Sequence, residues 1–319
     1  MDKLSVYSNL ERSVIVKVST KQLTGVPETL LYTLYMRYRE ARNPGGIIKD
    51  KQYKDLIERI DYDFSELEKI PDGDVRGIVF RSNTIDEITR RFVERNPEGI
   101  IVSLGSGLDF RHERVDNRKI QWFDVELPEV IELRKQLYDE TDRLHFIAAS
   151  VLDFAWIDHI PRGKPVFFIA EGLFVYLEPV HVKKAFIAIS KHFPESEMVL
   201  DVSSPLFLEI VRIGSPNRFL SKMYTLWKWA MTDWSELKSW VPGIQVIKEI
   251  RMISELEEKD IRELAESTSS MVTDIDQQVI ETWKEESEKF MRVGHIRFGS
   301  KTRKSINEDV DFESPYRWI

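Results

Sequence analysis

Ile100-Ile101-Val102-Ser103-Leu104-Gly105-Ser106-Gly107-Leu108-Asp109 decides how the rest of this 319-residue chain is read. Ile100 to Leu104 is an apolar run rich in β-branched side chains, the pattern of a strand buried on both faces of a parallel sheet. It breaks straight into Gly105-x-Gly107. Glycine lets a backbone close over a nucleotide-like ligand where a side chain would hold it off, and it takes positive φ without strain. The turn is therefore a candidate cofactor cradle.

A dinucleotide-binding turn wants a third glycine three residues after the second, opening a helix whose N-terminus faces a pyrophosphate. Phe110 stands there instead. Gly105-x-Gly107-x-Asp109 followed by Arg111 suits a ligand without phosphates, and S-adenosylmethionine is the obvious one. A nicotinamide-dependent oxidoreductase is the competing reading, disfavoured by the missing glycine. A third is a non-catalytic protein that keeps the fold and offers its Trp-rich segment to a partner.

Outward from this turn the pattern alternates. Strands are predicted at 120–126, 144–149, 166–170 and 198–202, with a helix opened by Pro128 and running to about Glu140 and another over 178–192. Such alternation implies an α/β fold with a mostly parallel sheet, right-handed crossovers and helices on both faces. Upstream, helices are predicted from Thr29 to Glu40 after Pro27, from Asp50 to about Ile60, and from Ser82 to Glu94 with Ser82 or Asn83 as cap and Arg81 at the entrance. Downstream, residues 205–240 carry Phe207, Phe219, Met223, Tyr224, Trp227, Trp229, Met231 and Trp234. This segment reads as a helical layer burying an apolar face, as a lid over a substrate pocket, or as both. Strand returns at 244–247, a helix near 257–267 and strand at 290–298, the two strands forming an antiparallel edge. With no repeat or linker, the expected organisation is one domain: a helical cap (1–98), a cofactor-binding core (99–204), a helical lid insertion (205–240) and C-terminal strands and helices (241–319).

Bulk properties narrow the function. The apolar share of 42% supports a full core, and 54 acidic against 46 basic residues give a net charge of −8, a poor match to nucleic acid. No cysteine is present, which removes disulfides, thiolate metal sites and a cysteine nucleophile. The six histidines show no metal-ligand spacing, so no metal is expected. The N-terminal residues lack a signal-peptide pattern and no apolar run reaches the roughly 20 residues of a membrane span, so a cytoplasmic protein with a small-molecule partner and no membrane or nucleic-acid partner is expected.

In open parallel sheets ligands bind beyond the carboxyl ends of the strands, so the residues there are the candidates. Glu126 ends the second strand 21 residues after Gly105, the spacing at which an acid holds a ribose diol; Asp124 competes from further back in the strand. Ser150 and Val151 follow the third strand, where a small polar and an apolar side chain can meet an adenine. Glu171-Gly172 follows the fourth, placing a carboxylate where the amino group of a bound amino acid would lie. Ser106 and Leu127 adjoin these positions and complete the set.

The ordered series resembles the leucine carboxyl methyltransferase and polyketide O-methyltransferase-like group of class I S-adenosylmethionine-dependent methyltransferases. The similar segments are Val102–Asp109, Trp122–Ile131, Ala149–Asp153 and Ile169–Leu177, with Glu28–Leu31, Arg37, Ile60–Phe64 and Arg81–Asp86 upstream. The resemblance implies a Rossmann-like fold with a seven-stranded sheet, S-adenosylmethionine as cofactor and methyl transfer to a hydroxyl or carboxyl oxygen. It implies that Arg81 holds the methionine carboxylate, that Gly105 and Gly107 admit the methionine moiety, and that Glu126, Ser150, Val151 and Glu171 take the roles already described. This chain departs from the group at Glu126, often Asp there, at Ser150-Val151, often Asp-Leu, and at Phe110, often Thr. A phenol acceptor would profit from a general base. Tyr176, His181, Asp201 and Tyr224 are candidates, and the sequence selects none of them.

Overall fold

Ile100–Leu104, buried at all five positions, is a middle strand of a seven-stranded sheet in a computed structural model, which describes residues 17–50, 52–213, 215, 217–252 and 289–299. The chain opens with β1 (Val18–Ser19), a 3-10 turn at Pro27–Thr29, α1 (Leu30–Arg42), α2 (Gln52–Arg59), β2 (Ile60–Asp61), α3 (Ser65–Glu68) and α4 (Asp72–Arg95). The core follows as β3 (Ile100–Leu104), α5 (Arg111–Val115), β4 (Gln121–Glu126), α6 (Pro128–Leu137), β5 (Leu144–Ala148), β6 (Val166–Ala170), α7 (Pro179–His192) and β7 (Glu197–Ser203). Then come α8 (Pro205–Ile213), α9 (Arg218–Tyr224), α10 (Ser235–Trp240), β8 (Gln245–Arg251) and β9 (Met291–Arg297). Among the described residues no helix is long and apolar enough to cross a membrane.

The sheet order is β5-β4-β3-β6-β7-β9-β8. β3 to β7 run parallel, and β9 is antiparallel to both β7 and β8, the expected edge. From β3 the chain steps outward through β4 to β5, then crosses back to β6 on the other side of β3. That reversal makes the carboxyl ends of β3 and β6 the switch point where an open sheet leaves a crevice.

Successive strand residues serve two cores, which is why the strands read as continuous apolar runs. Ile101, Trp122, Phe167 and Val199 pack with α1, α4 and α6 on one face. Ile100, Val102, Leu104, Phe168 and Leu200 pack with α7 and α10 on the other. The Phe92 and Phe167 rings, 4.9 Å apart, join α4 to the sheet. Burial of each such side chain contributes about 1.5–3 kcal/mol.

Two expectations need correction. The helix predicted from Ser82 begins ten residues earlier, at Asp72, directly after Pro71, so Arg81 lies in mid-helix and not at an entrance. Gly73 and Gly77 gave the stretch a loop-like look, but burial of Val75, Ile78, Val79 and Ile85 outweighs a cost of about 1 kcal/mol per glycine. Asp72 and Asp74 in the first turn suit the positive helix end. Residues 205–240 form three short helices and an irregular stretch at 225–234, the latter tied down where the Lys228 N–H donates to the Val175 carbonyl at 2.7 Å and the Met231 N–H to the Ser203 carbonyl at 2.9 Å. The helix expected near 257–267 lies outside the described residues.

Gly294 of β9 has a packing reason to be glycine. A Cβ built there would sit 2.0 Å from the Trp234 ring. Gly294→Ala is expected to lower stability by about 1–3 kcal/mol through overpacking, seen as a lower denaturation midpoint at unchanged slope. An unshifted midpoint would show that Trp234 moves aside freely.

Candidate active site

The glycine turn takes the left-handed conformation twice, with φ of +65° at Gly105 and +51° at Gly107. Its shape is fixed from two sides. The Gly107 N–H donates to one carboxylate oxygen of Glu126 at 3.1 Å, and the Leu127 N–H donates to the other at 2.8 Å. From behind, the fully buried Arg134 donates to the Gly107 carbonyl at 2.5 Å and pairs with Asp124. Asp124 also accepts from the Trp122 indole at 2.9 Å. Of the two acids, Asp124 supports the turn from within the protein, while Glu126 lines the crevice. Burial pushes the Glu126 carboxyl upward, opposed by the two backbone N–H donors.

Behind the turn lies an ionic lattice that sequence reasoning did not anticipate. It comprises Arg37, Arg81, Arg111 and Arg114 with Asp86, Asp109, Glu171 and Asp201, each side chain 9% exposed or less. Glu171 is its hub. One oxygen accepts from Arg37 at 2.9 Å and from Arg81 and Ser82 at 3.0 Å, and the other accepts from Arg111 at 2.5 Å. Burial would raise its pKa, but Arg111, Arg37 and Arg81 overcome this and hold it well below the usual carboxylate range. Both of its oxygens are held by arginines, and Glu171 also lines the cavity. The neighbouring Gly172, at φ +60°, brings backbone to the crevice, and its N–H donates to Asp201 at 2.6 Å.

Arg81 donates through Nε to Glu171 and through Nη1 to Asp201, each at 3.0 Å. Its Nη2 faces Gly172. Asp109 and Arg111 line the cavity, as the turn pattern suggested, and also engage Arg114, Tyr53 and Asp86 in the lattice. Phe110 packs on Tyr53 and Tyr138 with ring centroids 5.5 and 4.6 Å away, and caps a five-residue helix.

All ten predicted site residues, Arg81, Gly105, Ser106, Gly107, Glu126, Leu127, Ser150, Val151, Glu171 and Gly172, line a single cavity of about 880 Å³. Ser150 Oγ accepts from the Leu152 N–H at 3.2 Å, shaping the turn after β5. Leu152, Asp153, Phe154 and Ala155 also line the cavity; the first two lie in the Ala149–Asp153 segment, and no motif in the sequence singled out Phe154 or Ala155. The opposite end is walled by Tyr32, Asp74, Gly77, Phe207, Met223, Tyr224 and Trp227. Within the Trp-rich segment Met231 and Trp234 sit in the core, while Phe207, Tyr224 and Trp227 line the cavity.

The site fits an adenosyl amino acid. Two left-handed glycines leave room over the turn, a fixed carboxylate offers lone pairs to a diol, and Ser106 Oγ is buried without a hydrogen-bond partner among the described residues. Sheet order and crevice together define a class I S-adenosylmethionine-dependent methyltransferase. The family profile for leucine carboxyl methyltransferase matches residues 31–190. The tetracenomycin polyketide synthesis O-methyltransferase TcmP of Streptomyces glaucescens is 34% identical over 235 residues, 73% of this chain and 86% of that protein. The S-adenosyl-L-methionine-dependent methyltransferase dpfgK of Gibberella zeae is 30% identical over 242 residues, 70% of this chain and 81% of that protein. A DUF574 family protein from Streptomyces avermitilis shares the fold at 10% identity, with a TM-score of 0.50 over 84% of this chain and 96% of that one. The chain belongs to the leucine carboxyl methyltransferase family.

Proposed function

We propose that the protein transfers a methyl group to a hydroxyl or carboxyl oxygen of a small molecule of polyketide-like or phenolic type. The observation that carries this reading is the continuity of the cavity from the glycine turn to the aromatic wall made by Tyr32 of α1, Phe207 of α8, Tyr224 of α9 and Trp227. Its volume of about 880 Å³ lies toward the upper end of the 300–1,000 Å³ typical of small-molecule sites, which leaves room for an acceptor beside the cofactor. The similarity to a polyketide O-methyltransferase supports the same acceptor class.

When bound, S-adenosylmethionine supplies a methyl group on a sulfonium. The protein's own residues bind, orient and exclude water. In this reading Gly105, Ser106 and Gly107 admit the methionine moiety, and Arg81 Nη2 holds its carboxylate. Glu126 takes the ribose hydroxyls, Leu127, Ser150 and Val151 flank the nucleoside, and the Gly172 backbone closes the site beside Glu171. Residues 205–240 act as a lid whose aromatic side chains keep the acceptor end dry.

Two experiments test it. Transfer of labelled methyl to aromatic hydroxyls or acids supports the reading, and transfer to nitrogen acceptors alone overturns it. Glu126→Ala is expected to weaken adenosylhomocysteine binding by about 1.5–3 kcal/mol, the cost of losing a charged hydrogen-bond partner. Unchanged affinity by calorimetry would remove Glu126 from the ribose site.

A further inference from the structure

Gly77 lies in the interior of α4, and nothing in the packing asks for glycine there. A Cβ built on it would meet nothing within 4 Å, and its backbone is helical. Other glycines of the chain have a structural reason: Gly294 makes room for the Trp234 ring, and Gly105 takes a positive φ. Inside a helix glycine is less stable than alanine, because it gives up more backbone freedom and packs no side chain. What it supplies at position 77 is empty space on a helix face that lines the cavity.

Its neighbours fix where that space lies. Arg81, one turn further along the same face, marks the cofactor end through Glu171 and Asp201. One turn of helix rises about 5.4 Å, so Gly77 sits roughly that far from the cofactor end. On its other side Asp74 lies close to Tyr32 and Tyr224: burial raises both phenols, and the Asp74 charge raises them further. Ile78 belongs to the same apolar cluster as Tyr32, Met223, Tyr224 and Trp227. The gap over Gly77 therefore opens between the cofactor turn and the aromatic wall.

That wall is braced. The Trp227 ring meets Tyr224 and Phe207 with centroids 5.1 and 6.1 Å away, and the Trp227 carbonyl accepts from Arg212 at 2.9 Å. Rings that support one another leave the width of the slot to the α4 side. With no side chain at 77, the helix offers a strip of backbone on which the face of a planar ring can lie.

We propose that Gly77 is the residue that sets acceptor size, its missing side chain leaving the berth for the ring of a fused aromatic acceptor that lies furthest from the reacting oxygen. This rests on the oxygen-transfer reading and adds a size rule to it, one that holds for a hydroxyl and for a carboxyl acceptor alike. A leucine at 77 would fill the gap with about the bulk that one fused ring adds.

The test measures binding of phenol and 1-hydroxyanthracene to the adenosylhomocysteine complex of the full chain, of Gly77→Ala and of Gly77→Leu, with benzoate and 1-anthroate as a second pair. Wild type is expected to hold the fused-ring member of at least one pair about tenfold tighter than the single-ring member, and Gly77→Leu to abolish that preference. Gly77→Ala should lower the preference by less and unfold at a higher urea midpoint than wild type, since alanine gains helix propensity and meets no neighbour. Adenosylhomocysteine affinity should stay within about threefold in both variants. A preference that survives Gly77→Leu, an equal loss on both members of a pair, or no preference in wild type overturns the assignment. So does a lower midpoint for Gly77→Ala, which would give the glycine a structural role, or a larger loss of adenosylhomocysteine affinity, which would place it at the cofactor. Methyl transfer decides the underlying reading separately: labelling of nitrogen acceptors alone removes oxygen transfer, while the binding preference still measures the slot.

Discussion

Glu171→Ala is expected to lower the unfolding free energy by about 3–5 kcal/mol, the cost of removing one member of a buried charge cluster. The reason lies in the guanidiniums left behind. Arg37, Arg81 and Arg111 converge on this one carboxylate, and none of the three side chains is more than 7% exposed, so water entering from the cavity replaces the lost charge only in part. The loss should also reach the ligand site, because Arg81 then leans on Asp201 alone and its Nη2 loses a fixed direction. Urea unfolding at neutral pH, with adenosylhomocysteine affinity measured alongside, gives both numbers. A denaturation midpoint equal to that of wild type would show that the lattice relaxes without cost.

The pH dependence of the same variant follows from the direction of the Glu171 shift. Its folded-state pKa is depressed, so its stabilising contribution is complete above the unfolded value of about 4.3 and is lost as pH falls below that. The stability gap between wild type and Glu171→Ala should therefore narrow in acid and remain constant above about pH 5.

How much of this was legible in the sequence depends on whether a position is read through its neighbours along the chain or across it. Gly105, Glu126, Ser150 and Gly172 were legible because a strand that ends abruptly places its next residue at the crevice, whatever the tertiary details. Glu171 was legible as a position at the crevice, but its arginine partners were not. The arginines that saturate it come from positions 134, 90 and 60 residues away, and nothing local predicts such convergence. The first ten residues of α4, nearly three turns, were missed for a related reason: Gly73 and Gly77 weaken local helix propensity, and packing against α1 and the sheet restores it.

Gly105→Val is expected to lower adenosylhomocysteine affinity at least a hundredfold, about 2.8 kcal/mol. Two independent costs act at this residue. A β-branched side chain at φ +65° is strained by about 1–3 kcal/mol, and even its Cβ would press on Leu173 Cδ1 at 3.0 Å. The backbone can escape the strain by rotating, but the Gly105 N–H would then leave the Val125 carbonyl, which it meets at 2.9 Å, and the turn would lose its register with Glu126. Escape and strain both spoil the cradle, so affinity should fall by either route. Gly107→Ala provides the internal comparison: its φ is also positive, but its Cβ would make an ordinary 3.5 Å contact with Leu30, so a loss nearer tenfold is expected. The order of these two losses separates a cradle made by close backbone approach from a turn that merely contains glycines. If Gly105→Val bound adenosylhomocysteine within threefold of wild type by calorimetry, the cofactor would have to lie away from β3, and the assignment of Glu126 to the ribose would fall with it.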